Sequence, residues 1–142
     1  MRVVAPVLGD LIADYLSYER ISLPHDALII PIPLHKARER MRGFNQSYLI
    51  ARPIGERLNI PVLKDILIKI KKTTPQMELT REERLQNALG TFSVSDRSRV
   101  LIADKTIIIL DDVKTTGATL EEAARVLRAA GAKRILAITL AH

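Results

Sequence analysis

The stretch IIILDDVKTTGAT, residues 107–119, decides the fold. Ile107, Ile108, Ile109 and Leu110 form an uninterrupted aliphatic run. Such a run, bounded by polar residues, reads as a strand buried on both faces, as in a parallel sheet. It ends on two adjacent carboxylates, Asp111 and Asp112, then a short polar loop, and a helical pattern from Thr119. Acids and a small-residue loop therefore sit at the carboxyl end of a strand, where open α/β sheets bind ligands.

The loop carries phosphate chemistry. Thr115, Thr116 and Thr119 offer hydroxyl donors, and Gly117 and Ala118 let a ligand approach the backbone amides. The following helix turns its unpaired amides and the positive end of its dipole toward the loop. Asp111 and Asp112 repel a phosphate but suit neutral hydroxyls or a cation. A ligand with a phosphate at one end and vicinal hydroxyls beside it, such as a ribose phosphate, satisfies both halves. A structural explanation competes: Thr119 and Glu122 fit a capping box, which alone would account for Thr119. No GxxxxGK[ST] or GxGxxG occurs, so the common nucleotide loops do not compete.

IIILDDVKTTGAT resembles the phosphoribosyl pyrophosphate motif of type I phosphoribosyltransferases. Lys114 departs from that pattern, which usually has an apolar residue there; its side chain either faces solvent or reaches the pyrophosphate. A second stretch, PIPLHKARERMRGFNQS, residues 31–47, resembles the segment that marks the competence-associated ComF branch. A third, residues 71–94, resembles the part of that branch in which a mobile loop closes over the substrate, with Lys71, Lys72 and Gln76 as candidate contacts. The resemblance covers roughly residues 27–140.

It implies an α/β fold with a mainly parallel central sheet, flanking helices and a small hood. It also implies transfer of ribose phosphate from phosphoribosyl pyrophosphate to a nitrogen acceptor, a nucleobase in the simplest case, with release of pyrophosphate. Asp111 and Asp112 would hold the ribose hydroxyls and place negative charge near the reacting ring. Thr115 to Thr119 would cradle the terminal phosphate, and Lys36, Arg38 and Arg42 would serve the pyrophosphate. Magnesium would arrive on the substrate. The alternative is a non-catalytic protein that binds phosphoribosyl pyrophosphate or assists DNA uptake. Dimers are common for this fold, so a homodimer is an open assembly. ComF proteins commonly begin with a cysteine-rich, zinc-binding segment; this chain has no cysteine and reads as a truncated or stand-alone member.

Composition bounds the rest. A chain of 142 residues is expected to form one domain, with residues 1–23 as an N-terminal helix or hood and 24–142 as the core. Aromatics are 4%, which argues against base stacking on aromatic platforms. The net charge of +6 suits an anionic ligand without identifying nucleic acid. His25, His35 and His142 are scattered, and no zinc spacing exists. Asp10 and Asp14 interrupt the N-terminal apolar run, so no signal peptide or membrane span is expected, and the expected location is cytoplasmic. A receiver domain also pairs aspartates at a strand end, but on its first strand; here the pair falls on the penultimate one.

Around the motifs, Val4, Val7, Leu8, Leu11, Ile12, Tyr15 and Leu16 predict an amphipathic helix over 6–20 that packs on the core through that stripe. A buried strand is expected from Ala27 to near Pro31, then a basic loop, then a helix over 47–58 capped by Asn45 or Ser47 and disturbed by Pro53. Residues 66–71 alternate, with Ile66, Ile68 and Ile70 expected inward and the lysines outward as edge protection. A capping box at Thr80 and Glu83 opens a short helix that stops at Gly90. A brief strand follows over 91–94, and residues 95–105 are a connection. The last helix buries Leu120, Ala123, Ala124, Leu127 and Ala130, and a final strand covers 135–140.

Overall fold

The computed structural model describes residues 3–71, 79–113 and 117–141. Its elements run α1 (Val4–Tyr18), β1 (Ala27–Pro31), α2 (Lys36–Arg42), α3 (Gln46–Leu58), β2 (Leu67–Lys69), α4 (Arg81–Ala88), β3 (Phe92–Val94), α5 (Asp96–Ile102), β4 (Thr106–Val113), α6 (Ala118–Ala129) and β5 (Arg134–Ala141). A parallel sheet has the order β1-β4-β5, and β2 and β3 form a separate antiparallel pair. The expected architecture is therefore present: a helix-flanked parallel sheet with a small antiparallel annex.

β4 is the central strand, and its side chains divide the core. Ile107 and Ile109 pack with Ile30, Leu120, Ala123 and Leu127 on the α6 face. Ile108 and Leu110 pack with Ile29, Ile50 and Ile54 on the α3 face. Alternation of two apolar sets is why the strand reads as one unbroken aliphatic run. The strand continues beyond Leu110 through both acids, because Asp111 and Val113 still pair with Thr139 and Ala141 of β5. The pair thus belongs to the last turns of pleat and not to a loose corner. Past Pro31, Ile32 still donates its N–H to the Leu110 carbonyl at 2.9 Å, so the ends of β1 and β4 stay together.

α1 corrects the sequence reading. Its buried residues are Ala5, Gly9 and Ala13, whereas Val4, Val7, Leu11 and Tyr15 are about half exposed or more. The helix is rolled so that small residues face α3. At Gly9 a Cβ would overlap Pro53 Cγ and the Ile50 carbonyl oxygen, so the two helices touch backbone to ring. That close approach outweighs burial of the larger stripe. Pro53 is accommodated inside α3 at this contact. Asp10 and Asp14 both pair with Arg57 of α3 and add partly exposed ion pairs to the same seam.

Two other segments differ from expectation. The basic run 36–42 is a helix, closed by Gly43 in the left-handed region at φ 77°. It shows no apolar periodicity because none of its residues is buried. Residues 95–105 contain α5, opened by Ser95, whose hydroxyl accepts from the Ser98 N–H. The Thr80–Glu83 capping box forms as expected, with Glu83 accepting from the Thr80 N–H.

Residues 66–71 follow the prediction only in part: Ile66 is buried in the core as expected, at 4% exposed. Leu67 is 2% exposed and Ile70 is 58% exposed. By the period of two, Lys69 shares the inward face with Leu67. Lys71 extends from the same stretch and donates to the carbonyls of Asn87 and Leu89 at 3.2 and 3.5 Å, capping the end of α4.

Candidate functional site

Three strand or helix ends converge at the carboxyl edge of the sheet. The Asn45 side chain donates to the Ile32 carbonyl at 3.1 Å and also accepts from the Tyr48 N–H, which fixes the start of α3 against the end of β1. Asn45, Gln46 and Ser47 are all buried polar residues. Burial of three polar side chains at one helix start costs free energy unless they are used. Asn45 is spent on the cap, and Ser47 lies beside the Asp111 carboxylate at the end of β4, where it favours the charged form. The Asp112 N–H also donates to Asp111 Oδ1 at 2.9 Å.

These contacts give the two acids different surroundings. Burial pushes the Asp111 carboxyl up to about 7, helped by the hydrogen bond and the charge of the Asp112 carboxylate and opposed by the Asp112 N–H and Ser47. A carboxyl raised in this way can donate to, as well as accept from, neutral hydroxyls. A vicinal diol is the matching ligand. Among the described residues no group of three His, Asp or Glu side chains is placed to hold a metal ion.

The phosphate side begins at α6. Gly117 is the N-cap in the left-handed region at φ 79°, a residue with no side chain of its own to cap the helix. The capping box expected at Thr119 does not form. Glu122 is instead 3% exposed, accepts from the Gly90 N–H at 3.1 Å, and meets Arg125 at 2.7 and 2.8 Å. Its partner Gly90 lies far away in the chain, which local sequence reading cannot see. The structural explanation of Thr119 is thereby removed, and the N-terminus of α6 follows directly on the loop. Lys114, Thr115 and Thr116, like Lys72 and Gln76, lie outside the described residues.

Glu122 clasps the β3 end of the antiparallel annex to α6. Glu122→Ala is expected to lower stability by ~1–3 kcal/mol, read as a drop in Tm. The hydrogen bonds from Arg125 hold this carboxyl below the usual carboxylate range. Its contribution is present above that range and is lost as pH falls through the lowered value.

Of the basic candidates, Lys36, Arg38 and Arg42 all lie on α2 and are exposed. Arg38 and Arg42, four apart, share a helix face; Lys36 lies toward the other side. Glu39 does not offset them, because it pairs with Lys64 at 3.6 Å. Arg38 is close enough to Lys69 of β2 to disfavour its charge, and Asp111 acts on the same amine in the opposite sense. Lys69 and Ser47 were therefore missed as site residues. Ser47 was visible only as a possible cap, and Lys69 only as an edge lysine; the buried Leu67 two positions earlier was the available signal for its inward direction. Lys71 is engaged at α4 instead.

Comparisons with known proteins agree with this fold. A family profile described as a phosphoribosyl transferase domain matches residues 45–142. The chain is 34% identical over 134 residues to Competence protein F of Haemophilus influenzae, covering 94% of this chain and 57% of that protein. It is 30% identical over 124 residues to Competence protein ComFC of Bacillus subtilis, covering 87% and 48%. It is 30% identical over 134 residues to the DNA utilization protein YhgH of Salmonella typhi, covering 93% and 57%. The chain thus spans about half the length of the curated relatives it matches. Its fold is similar to glutamine phosphoribosylpyrophosphate amidotransferase from B. subtilis, with TM-score 0.62 at 19% identity over 97% of this chain and 26% of that one. It is also similar to a hypoxanthine phosphoribosyltransferase from Staphylococcus aureus, with TM-score 0.51 at 13% identity over 99% and 64%.

Proposed function

The chain belongs to the type I phosphoribosyltransferases, in the ComF competence branch, and from that premise we propose that it binds phosphoribosyl pyrophosphate and transfers its ribose phosphate to a nitrogen acceptor. The observation that carries this reading is the acid pair at the end of the central strand, with Ser47 at the start of α3 beside Asp111. The ribose diol is held by Asp111 and Asp112. The 5′-phosphate is cradled by residues 115–119 and the first amides of α6. Lys36, Arg38 and Arg42 serve the pyrophosphate, which arrives with its magnesium; Lys114 and Lys72 are further candidates from outside the described residues, and Lys71 is bonded to the carbonyls at the end of α4.

The bond from the anomeric carbon to the pyrophosphate oxygen breaks, and a bond from that carbon to the acceptor nitrogen forms. Pyrophosphate leaves with the bonding electrons, and the acceptor's proton goes to solvent. Positive charge develops on the ribose ring, and the negative charge beside it lowers the barrier. Asp111 and Asp112 supply that charge without a covalent nucleophile.

Energetics require every part of this site. A helix N-terminus contributes roughly 1–2 kcal/mol to anion binding. Micromolar affinity needs about 8 kcal/mol. The diol contacts, the metal and the cations of α2 supply the remainder.

The names of the relatives favour a second reading, an accessory protein of DNA uptake that binds the same ligand without turnover. A pyrophosphate-release assay with phosphoribosyl pyrophosphate, magnesium and a panel of nucleobases separates the two. Release with one base supports transfer. Tight binding with no release across the panel supports the accessory reading. Binding of single-stranded DNA, if present, is expected to weaken steeply with salt.

A further inference from the structure

α1 is apolar on two opposite sides. Ala5, Gly9 and Ala13 are buried on the side that meets α3. Val4, Val7, Leu11, Tyr15 and Tyr18 recur at helical spacing on the side facing directly away from it. All five are about half exposed or more, and Tyr18 is 84% exposed. No charge interrupts this outer stripe. Asp10 and Asp14 lie off one flank, where both pair with Arg57 of α3. A helix that is apolar on its inner and outer faces alike belongs in an interior. The five side chains leave on the order of 650 Å² in water, at the top of what a monomer usually keeps exposed.

We propose that this stripe is a homodimer interface, in which two copies of the chain pair their α1 helices antiparallel about a two-fold axis at Leu11. The stripe reads the same in both directions from Leu11. Val7 and Tyr15 stand four residues to either side, and Val4 and Tyr18 stand seven. Antiparallel pairing therefore sets Leu11 on its own copy, Tyr15 on Val7 and Tyr18 on Val4. Large meets small in every outer layer, so the two helices can close to an even distance. Parallel pairing would set tyrosine on tyrosine at one end and valine on valine at the other, and the helices would splay. The antiparallel arrangement also brings the positive end of each helix dipole beside the negative end of the other. A two-fold contact of this kind uses one patch on both copies and closes on itself. Two stripes supply roughly 1,300 Å², within the range of a specific interface, and tyrosine is enriched among the residues that dominate such contacts. A lipid surface fits less well. Helices that lie in a membrane interface carry lysine and arginine on their polar face, whereas the charges of α1 are Asp10 and Asp14. The partner would lie across α1 from α3, so the proposal does not depend on the ligand assigned to the acid pair.

The test is analytical ultracentrifugation of the full chain over a range of micromolar concentrations. The parent is expected to sediment as a dimer, and its Tm is expected to rise with concentration. Leu11→Arg sets two like charges on the axis and is expected to weaken self-association by about a hundredfold or more, with an unchanged circular dichroism spectrum. Crosslinking reads the direction of the pair. The chain has no cysteine, so Val4→Cys and Tyr18→Cys each introduce a single thiol. The two positions lie about 21 Å apart along the helix. A short bismaleimide is expected to crosslink an equilibrated mixture of the two variants and to leave either variant alone as uncrosslinked chains. A parent that stays monomeric at these concentrations overturns the proposal, and if it then floats with phosphatidylcholine vesicles the stripe meets lipid instead. A dimer that Leu11→Arg leaves intact overturns it as well, as does efficient crosslinking of either cysteine variant by itself. If Leu11→Arg fails to fold, the crosslinking pattern alone decides.

Discussion

Asp111→Asn combined with Asp112→Asn is expected to abolish binding of phosphoribosyl pyrophosphate and to raise the melting temperature. Both effects come from one arrangement. The Asp111 carboxyl is largely withdrawn from water and stands beside a second carboxylate, and these two causes raise it to about 7. Its ordinary value is 3.8. Between those values the folded chain holds a proton that the unfolded chain has released. Stability from this group is complete at low pH and is lost as pH rises toward 7 and beyond. Asparagine keeps the shape, carries no charge and offers an amide oxygen to Ser47. The variant should therefore gain ~1–3 kcal/mol at pH 8, several degrees in Tm, and much less at pH 5. Thermal melts at the two pH values read the difference, and calorimetry with the ligand reads the loss of binding. A double variant that binds normally removes the acid pair from the site. A Tm difference that does not grow with pH removes the account of its strain. A site that is stabilised by its own destruction is the expected signature of function placed against folding.

Gly9→Val is expected to be the most destabilising single change in the N-terminal half, at ~3 kcal/mol or more, with Gly9→Ala somewhat milder. A Cβ at Gly9 would overlap the Pro53 ring and the Ile50 carbonyl oxygen. Neither can retreat easily, since Ile50 is fully buried and Pro53 has a fixed ring. Chemical denaturation measures the loss. Because the acids are carried by β4 and not by α1, the fraction still folded is expected to bind ligand with parental affinity. Stability equal to the parent in Gly9→Val would mean that α1 does not sit on α3 this closely.

Much of the fold could be read from local patterns. The aliphatic run of β4, the acids at its end, and the caps at Asn45 and Thr80 depend on residues within one turn or one strand, where period and capping chemistry apply. The failures share a different cause. The direction of α1 was set by Gly9 against Pro53, two residues with no weight in an apolar-stripe count. Of the isoleucines expected inward over 66–71, Ile66 is buried but Ile70 is exposed, because Leu67 also packs into the core of β4 and α6. α2 buries nothing, so its helix left no periodic trace. Glu122 resembled half of a capping box and is committed instead to Gly90 and Arg125. In the site, the aliphatic run placed both acids at the carboxyl end of a strand, where β4 carries them. Ser47 and Lys69 reach Asp111 only through tertiary approach, which spacing does not encode.

The pairing of β1 with β4 also sets when this chain can acquire its shape. Ala27 finds its partner Thr106 only after more than half of the polypeptide has intervened, and no hairpin can nucleate a parallel pair. Loop closure over that distance precedes any reward from Ile29 and Ile30 meeting β4, so folding is expected in milliseconds to seconds and not in microseconds. During synthesis, α1, β1 and α3 emerge long before the strand that completes them. Until residue 113 has cleared the ribosome, their isoleucines stand in water, and that interval is when a chaperone has most to do.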